Sequence, residues 1–174
     1  MSVETSLILK FKEGGGSLLP PLTARNCQQS LTPIPNGKLR RTVNGVLVHT
    51  GNKGHEKYAS TISCKDAQAP AFDGVWQGQT FEVGCLQRLS QPFTGGEQVE
   101  LLRPAVVGSV VVFDGEGKAH EAMSIEGKVV TLPGGVMGGF VSYCPSLVMH
   151  VVEFKLETDE WGMTVGWTLK LEEV

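Results

Sequence analysis

The segment MHVVEFKLETDEWGMTVGWTLKLEE (residues 149–173) decides the fold class. In Met149–Glu157, Val152, Phe154 and Leu156 alternate with Glu153, Lys155 and Glu157. In Met163–Glu173, Met163, Val165, Trp167, Leu169 and Leu171 alternate with Thr164, Gly166, Thr168, Lys170 and Glu172. Successive side chains of an extended chain point to opposite faces. Period two over about ten residues therefore gives two long strands, each buried on one face. The turn TDEWG (158–162) joins them. In this frame His150 is in phase with Val152 and Phe154, which predicts a half-buried histidine. Trp167 falls in the core.

The same period recurs upstream. TSLILKFK (5–12), YASTISC (58–64) and TFEVGCL (80–86) alternate. Asn44-Gly45 is a turn signal between Leu39–Val43 and Val46–Thr50, and predicts a hairpin with a two-residue type I′ turn. Glu97–Arg103 and Gly108–Phe113 follow, the second a Val run suited to a strand buried on both faces. Glu121–Ile125 and Lys128–Leu132 pair around Glu126-Gly127, and Phe140–Tyr143 is a short strand. No window has a helical period. The chain has 22 Gly and eight Ala among 174 residues. That composition argues against a helical bundle, and 41% hydrophobic residues argue against disorder. The prediction is an all-β chain of about ten short antiparallel strands, as a β-sandwich, jelly-roll-like fold or barrel.

Residues 13–37 (EGGGSLLPPLTARNCQQSLTPIPNG) break the pattern. Gly14–Gly16 and four Pro predict an extended arm or long loop, and a long structureless stretch is often functional. Its apolar residues, Leu18, Leu19, Leu22, Leu31 and Ile34, suit an arm lying along another surface. The domain division expected is thus an N-terminal strand and arm over 1–37 and a β-sandwich domain over 38–174.

Chemistry-bearing motifs are few. Cys27, Cys64, Cys85 and Cys144 have no zinc-site spacing, and Cys64 and Cys85 end alternating runs as buried thiols would. His49, His55, His120 and His150 form no metal pair. GEGK (115–118) lacks the upstream glycine of a phosphate loop, and GGVMGG (134–139) precedes a strand rather than a helix. Asp114 and Glu116 resemble the start of a calcium loop, but the sixth position is Ala119. No catalytic residue, cofactor site or metal site is expected. The chain shows no signal-peptide pattern and no apolar run of membrane-spanning length, so no membrane association is expected.

Charge is uneven. Residues 1–70 carry nine Lys/Arg and four Asp/Glu, whereas residues 71–174 carry six and fourteen. Lys38, Arg40 and Arg41 form the one dense basic cluster. The sequence pI of about 5.8 and the lack of interleaved aromatics argue against nucleic acid as its partner. Two readings remain, a solvated strand edge or a contact with an acidic protein surface. Trp161, beside Asp159 and Glu160, and Trp76, in the irregular crossing Ala67–Gly78, either fold back over the sheet or anchor a partner.

YASTISC (58–64), APAFDGVWQGQTFEVGC (69–85) and TDEWGMTVGWTLKLEEV (158–174) together resemble a group of tailed-bacteriophage virion proteins, small β-rich accessory proteins of the head or tail. The resemblance covers about a quarter of the chain. It implies a non-enzymatic structural protein of the particle, assembled in the bacterial cytoplasm and located in the virion. The leading expectation is a capsid decoration or cement protein, multi-copy or homo-oligomeric, that contacts the major capsid protein or other virion proteins. Its contacts would fall on Leu18, Leu19, Leu22, Lys38, Arg40, Arg41, Trp76, Asp159, Glu160 and Trp161. The alternatives are a tail or head–tail joining protein, and a β-sandwich module binding carbohydrate or another ligand.

Overall fold

The computed structural model describes residues 5–174 and is all-β. Its strands are β1 (Ile8–Phe11), β2 (Gln28–Pro33), β3 (Leu39–Arg41), β4 (Leu47–His49), β5 (Tyr58–Asp66), β6 (Thr80–Gly84), β7 (Leu89–Thr94) and β8 (Gln98–Glu100). They continue with β9 (Val111–Asp114), β10 (Ala119–His120), β11 (Ser124–Glu126), β12 (Val129–Thr131), β13 (Gly138–Tyr143), β14 (Ser146–Thr158) and β15 (Val165–Glu173). Every pairing is antiparallel, as expected from the alternating pattern.

A six-stranded sheet in the order β1-β6-β14-β15-β5-β2 forms the larger layer. Its inner face carries Leu9, Ile62, Phe81, Val83, Leu147, Met149, Trp167, Leu169 and Leu171, all buried. Its outer face is polar, with exposed Thr61, Glu82, Lys170 and Glu172. Among the described residues, no strand of another sheet contributes to the core on this face. Two irregular segments, 12–27 and 67–79, roof it, and supply Leu18, Ala24, Phe72 and Val75 to the core. Phe72 packs edge-on against Trp167 at 5.8 Å between ring centroids and tilts against Phe154 at 5.1 Å. Such aromatic pairs add about 1 kcal/mol each beyond their burial.

Neighbouring strands β6 and β14 would make a simple hairpin, but the chain leaves the sheet at Cys85 and returns at Pro145. Between them a four-stranded sheet (β10-β9-β13-β7) and a three-stranded sheet (β11-β12-β8) enclose a second core. Phe93, Val99, Leu101, Val112, Val130, Leu132, Val141 and Tyr143 fill it. Of the Val run, only Val112 is fully buried, so β9 is not covered on both faces.

The arm expected at 13–37 does not stand off from the domain. Leu18 is 3% exposed; its N–H donates to the Leu9 carbonyl and its own carbonyl accepts from Ala71 N–H. Trp167 Nε1–H donates to the buried Thr23 carbonyl at 2.9 Å. Asp66 accepts from Arg25 N–H at 3.0 Å and from its guanidinium at 2.6 Å. Residues 28–33 then form an edge strand on β5. The segment closes the core because an open sheet with one apolar face must cover it with whatever chain is at hand. β1 and β2 are the two edges of the same sheet, so the expected boundary at 37/38 falls inside one structural unit.

Two local expectations are corrected as well. The turn between β3 and β4 is not a two-residue type I′ turn. Thr42 N–H bonds the Val46 carbonyl, Gly45 N–H bonds the Thr42 carbonyl, and only Gly45, at φ 78°, is left-handed. That is a three-residue loop closed by a glycine in the bulge position. In β14 the register shifts between Val151 and Glu153. This bulge reverses the phase, so Leu147, Met149 and Val151 point inward below it and Phe154 above it. His150 therefore lies on the outer face, exposed, with Nδ1 3.0 Å from Thr80 Oγ1.

Candidate functional site

The connection from β2 to β5 is itself a hairpin, β3–β4, in a two-stranded sheet of its own. Every residue from Gly37 to Thr50 is exposed. Leu39, Val43, Val46, Leu47 and Val48 are between 43% and 106% exposed. Val46-Leu47-Val48 places apolar side chains on both faces, so no single face of its own domain could bury them. An isolated two-stranded hairpin is marginal in water. This one is closed at its base by Thr50 N–H to the Lys38 carbonyl at 3.0 Å and Asn36 Nδ2–H to the Asn52 carbonyl at 2.9 Å. Lys38, Arg40 and Arg41 lie on it, all exposed, and Arg41 reaches the Gly45 carbonyl at 2.9 Å.

At the hairpin base, Arg103 joins three parts of the chain. Its Nε–H and Nη2–H donate to Glu173 at 3.0 Å each, and Nη2–H also donates to the Glu56 carbonyl at 2.8 Å. The guanidinium sits 4.6 Å over the Tyr58 ring. Glu173 in turn accepts from Tyr58 N–H at 2.9 Å. Beside this node is a cavity of about 660 Å³ lined by residues including Ile34, Leu39, His49, Tyr58 and Leu102.

The opposite end of the sheet is the β14–β15 turn. Asp159, Glu160 and Trp161 are exposed there together, with Trp161 at 84%. The Asp159 carboxylate accepts from Met163 N–H at 3.1 Å and shapes the turn. Leu156 and Met163 add exposed apolar surface. Glu157 and Glu153 are engaged by Lys155 at 2.6 Å and Lys170 at 2.7 Å. Trp76, in the roof segment 67–79, is 74% exposed. Neither tryptophan folds back over the sheet.

The ten residues singled out from sequence thus separate into three groups of three, with Trp76 exposed by itself on the roof segment 67–79. Lys38, Arg40 and Arg41 are on the hairpin, and Asp159, Glu160 and Trp161 are on the far turn. Leu18, Leu19 and Leu22 are buried or half-buried in the roof, and Leu18 and Leu19 pack in this chain's own core. Sequence reading missed the five apolar hairpin residues, whose signal was the unbroken Val46-Leu47-Val48 run. It also missed the Arg103–Glu173–Tyr58 node, which joins positions too far apart in the chain for local pattern to reveal.

Among the described residues, no group of three His, Cys, Asp or Glu side chains could hold a metal. Asp114 spends its carboxylate on the turn that follows it, accepting from Glu116 and Lys118 N–H at 3.0 and 2.8 Å, and lies 2.8 Å from His120 Nε2. These bonds, that to His120 first, hold its carboxyl below the usual range. No family model and no curated protein matches the sequence.

Proposed function

We propose that the chain is a non-enzymatic structural protein of a bacteriophage particle, seated on the capsid shell as a decoration or cement protein. The observation that carries the reading is the β3–β4 hairpin, apolar on both faces, basic, and without one buried residue between Gly37 and Thr50. Such a projection gains by covering on another protein of the particle, the shell or a neighbouring copy of this chain, since exposed contiguous apolar surface marks interaction sites. The three segments that resemble phage virion proteins support the same reading. They fall on β5, on one roof segment with β6, and on β15, and so meet in one core. A shell offers many equivalent sites, so each copy needs only modest affinity.

The test is quantitative mass spectrometry of purified particles from the source. Hundreds of copies per particle support decoration. Tens or fewer favour the alternative, a tail or head–tail joining protein. Absence from the particle refutes both. The carbohydrate-module alternative is less favoured, because Trp76 and Trp161 lie in loops and do not form an aromatic platform on one sheet face.

A further inference from the structure

The two exposed apolar clusters sit at opposite ends of one sheet and carry opposite charge. β5 starts at Tyr58, where the hairpin joins it, and ends at Asp66, which pairs with Val165 beside the β14–β15 turn. Nine residues of strand set the two clusters roughly 25 Å or more apart. The hairpin connection, residues 34–57, has five Lys/Arg and one Glu. The stretch 153–160 has four acidic residues and one Lys. Two of those acids, Glu153 and Glu157, already have lysine partners, whereas Glu160 is exposed at the turn next to Trp161.

We infer that the hairpin's partner is a second copy of this chain, and that copies join head to tail. The β3–β4 hairpin of one copy packs Val46 and Val48, which share a face with Lys38 and Arg40, against Leu156, Trp161 and Met163 of the next. Arg40 and Lys38 face Glu160 and Asp159 across the contact. Both complementarities, apolar with apolar and basic with acidic, point in the same direction, whereas two hairpins set against each other would oppose basic side chains to basic ones. Because the two surfaces differ and lie at opposite ends, the contact is heterologous. It closes into a ring or runs on as a filament according to the rotation per copy. The inference rests on the multi-copy reading above for its setting. It is read on the purified chain, so its failure is seen in a different experiment from the failure of the particle reading.

The experiment is sedimentation velocity of the full chain from about 10 μM to about 1 mM, at about 20 mM and about 500 mM NaCl. Wild-type chain is expected to form species above its 18.7 kDa mass with rising concentration, less so at high salt. Two variants at exposed positions are expected to keep the wild-type melting temperature and to stay monomeric. These are Arg40→Glu with Val48→Asp, which disables the hairpin, and Trp161→Ala with Met163→Ser, which disables the turn. Mixing them leaves one intact hairpin facing one intact turn, so the mixture is expected to give dimers and nothing larger. A wild-type chain that stays monomeric throughout overturns the inference. So does unchanged association in either variant, or a mixture that remains monomeric.

Discussion

Asp66 is the point at which the roof can be released from the sheet without touching the core. Its side chain is 4% exposed and that of its partner Arg25 is 49% exposed. The carboxylate accepts from Arg25 N–H, from the Arg25 guanidinium and from Ala67 N–H at 2.7 Å. Asp66→Ala leaves two backbone N–H groups without that acceptor and removes a charged pair. Breaking a fully buried pair costs about 3–5 kcal/mol, but Arg25 is half in water and rehydrates, so about 2–3 kcal/mol is expected. The acid dependence follows from the same contact. The Arg25 guanidinium, aided by backbone N–H groups, holds the Asp66 carboxyl down at about 2 against an ordinary 3.8. A folded value below the unfolded one stabilises fully above the unfolded value and is lost as pH falls through the folded one. The contribution is therefore complete above about pH 5 and drains away towards pH 2, with a size of about 1–2 kcal/mol after discounting for the exposure of Arg25.

Two assays read it. Urea unfolding followed by Trp fluorescence gives the global loss, and the wild-type advantage over Asp66→Ala should shrink between pH 5 and pH 2. Trypsin cleavage after Arg25 gives the local loss. If the roof opens locally, cleavage should quicken by roughly 30-fold or more in the variant. A loss of less than about 0.5 kcal/mol in the variant would mean that Asp66 does not anchor the roof. Trypsin cutting wild type after Arg25 as fast as it cuts the variant would mean the same, since residues 13–37 would then be a free arm.

A Cβ at Gly139 would lie 1.9 Å from the Phe113 carbonyl oxygen, and φ there is 155°. Gly139→Ala should destabilise the β7–β13 unit by about 3 kcal/mol or more, and hydrogen exchange should quicken in 87–144 before it does in β5, β14 and β15. Arg103→Ala strands the Glu173 carboxylate and should cost about 2–3 kcal/mol by urea unfolding. The same change on a Glu173→Gln background should cost less than half as much. Burial pushes the Cys85 thiol up to about 11 and pushes the Cys27 thiol up as well, with the Cys64 thiol adding to the shift. At pH 8 both should therefore react with a disulfide reagent far more slowly in the folded chain than in urea, and mass spectrometry of the modified sites reads this.

The inner face of the large sheet was legible because one face is apolar and the other polar over long runs, as in Met163–Glu173. Legibility stopped where one residue broke the frame. The bulge at Val152 made Val152, Phe154 and Leu156 one visible series and hid Leu147, Met149 and Val151, and it moved His150 to the wrong face. It stopped again where the tie is long in sequence. Trp167 to Thr23 and Asp66 to Arg25 decide that residues 13–27 are a roof, and neither leaves a local pattern. The hairpin shows a third limit. Its strands and its glycine turn were readable, but period and turn chemistry say nothing of whether a covering partner belongs to the same chain.

How the sheet is wired to its two ends bears on what a chain of copies could withstand. The β3–β4 hairpin continues from β2 and β5, and the far turn joins β14 and β15. A pull between hairpin and turn draws β5 from Tyr58 and β15 from Val165 in opposite directions along the strands. The only ladder between these two strand pairs is β5–β15, with register pairs running from Val165↔Asp66 to Glu172↔Ala59. All of its bonds are loaded together, in shear. Pulling Pro33 from Tyr58, which pair at one end of β2 and β5, instead opens that ladder a bond at a time. Single-molecule extension with handles at residues 45 and 161 should therefore rupture at several-fold higher force than with handles at 33 and 58. Equal forces would mean that the sheet is not the element in tension, and the head-to-tail arrangement would lose its mechanical rationale.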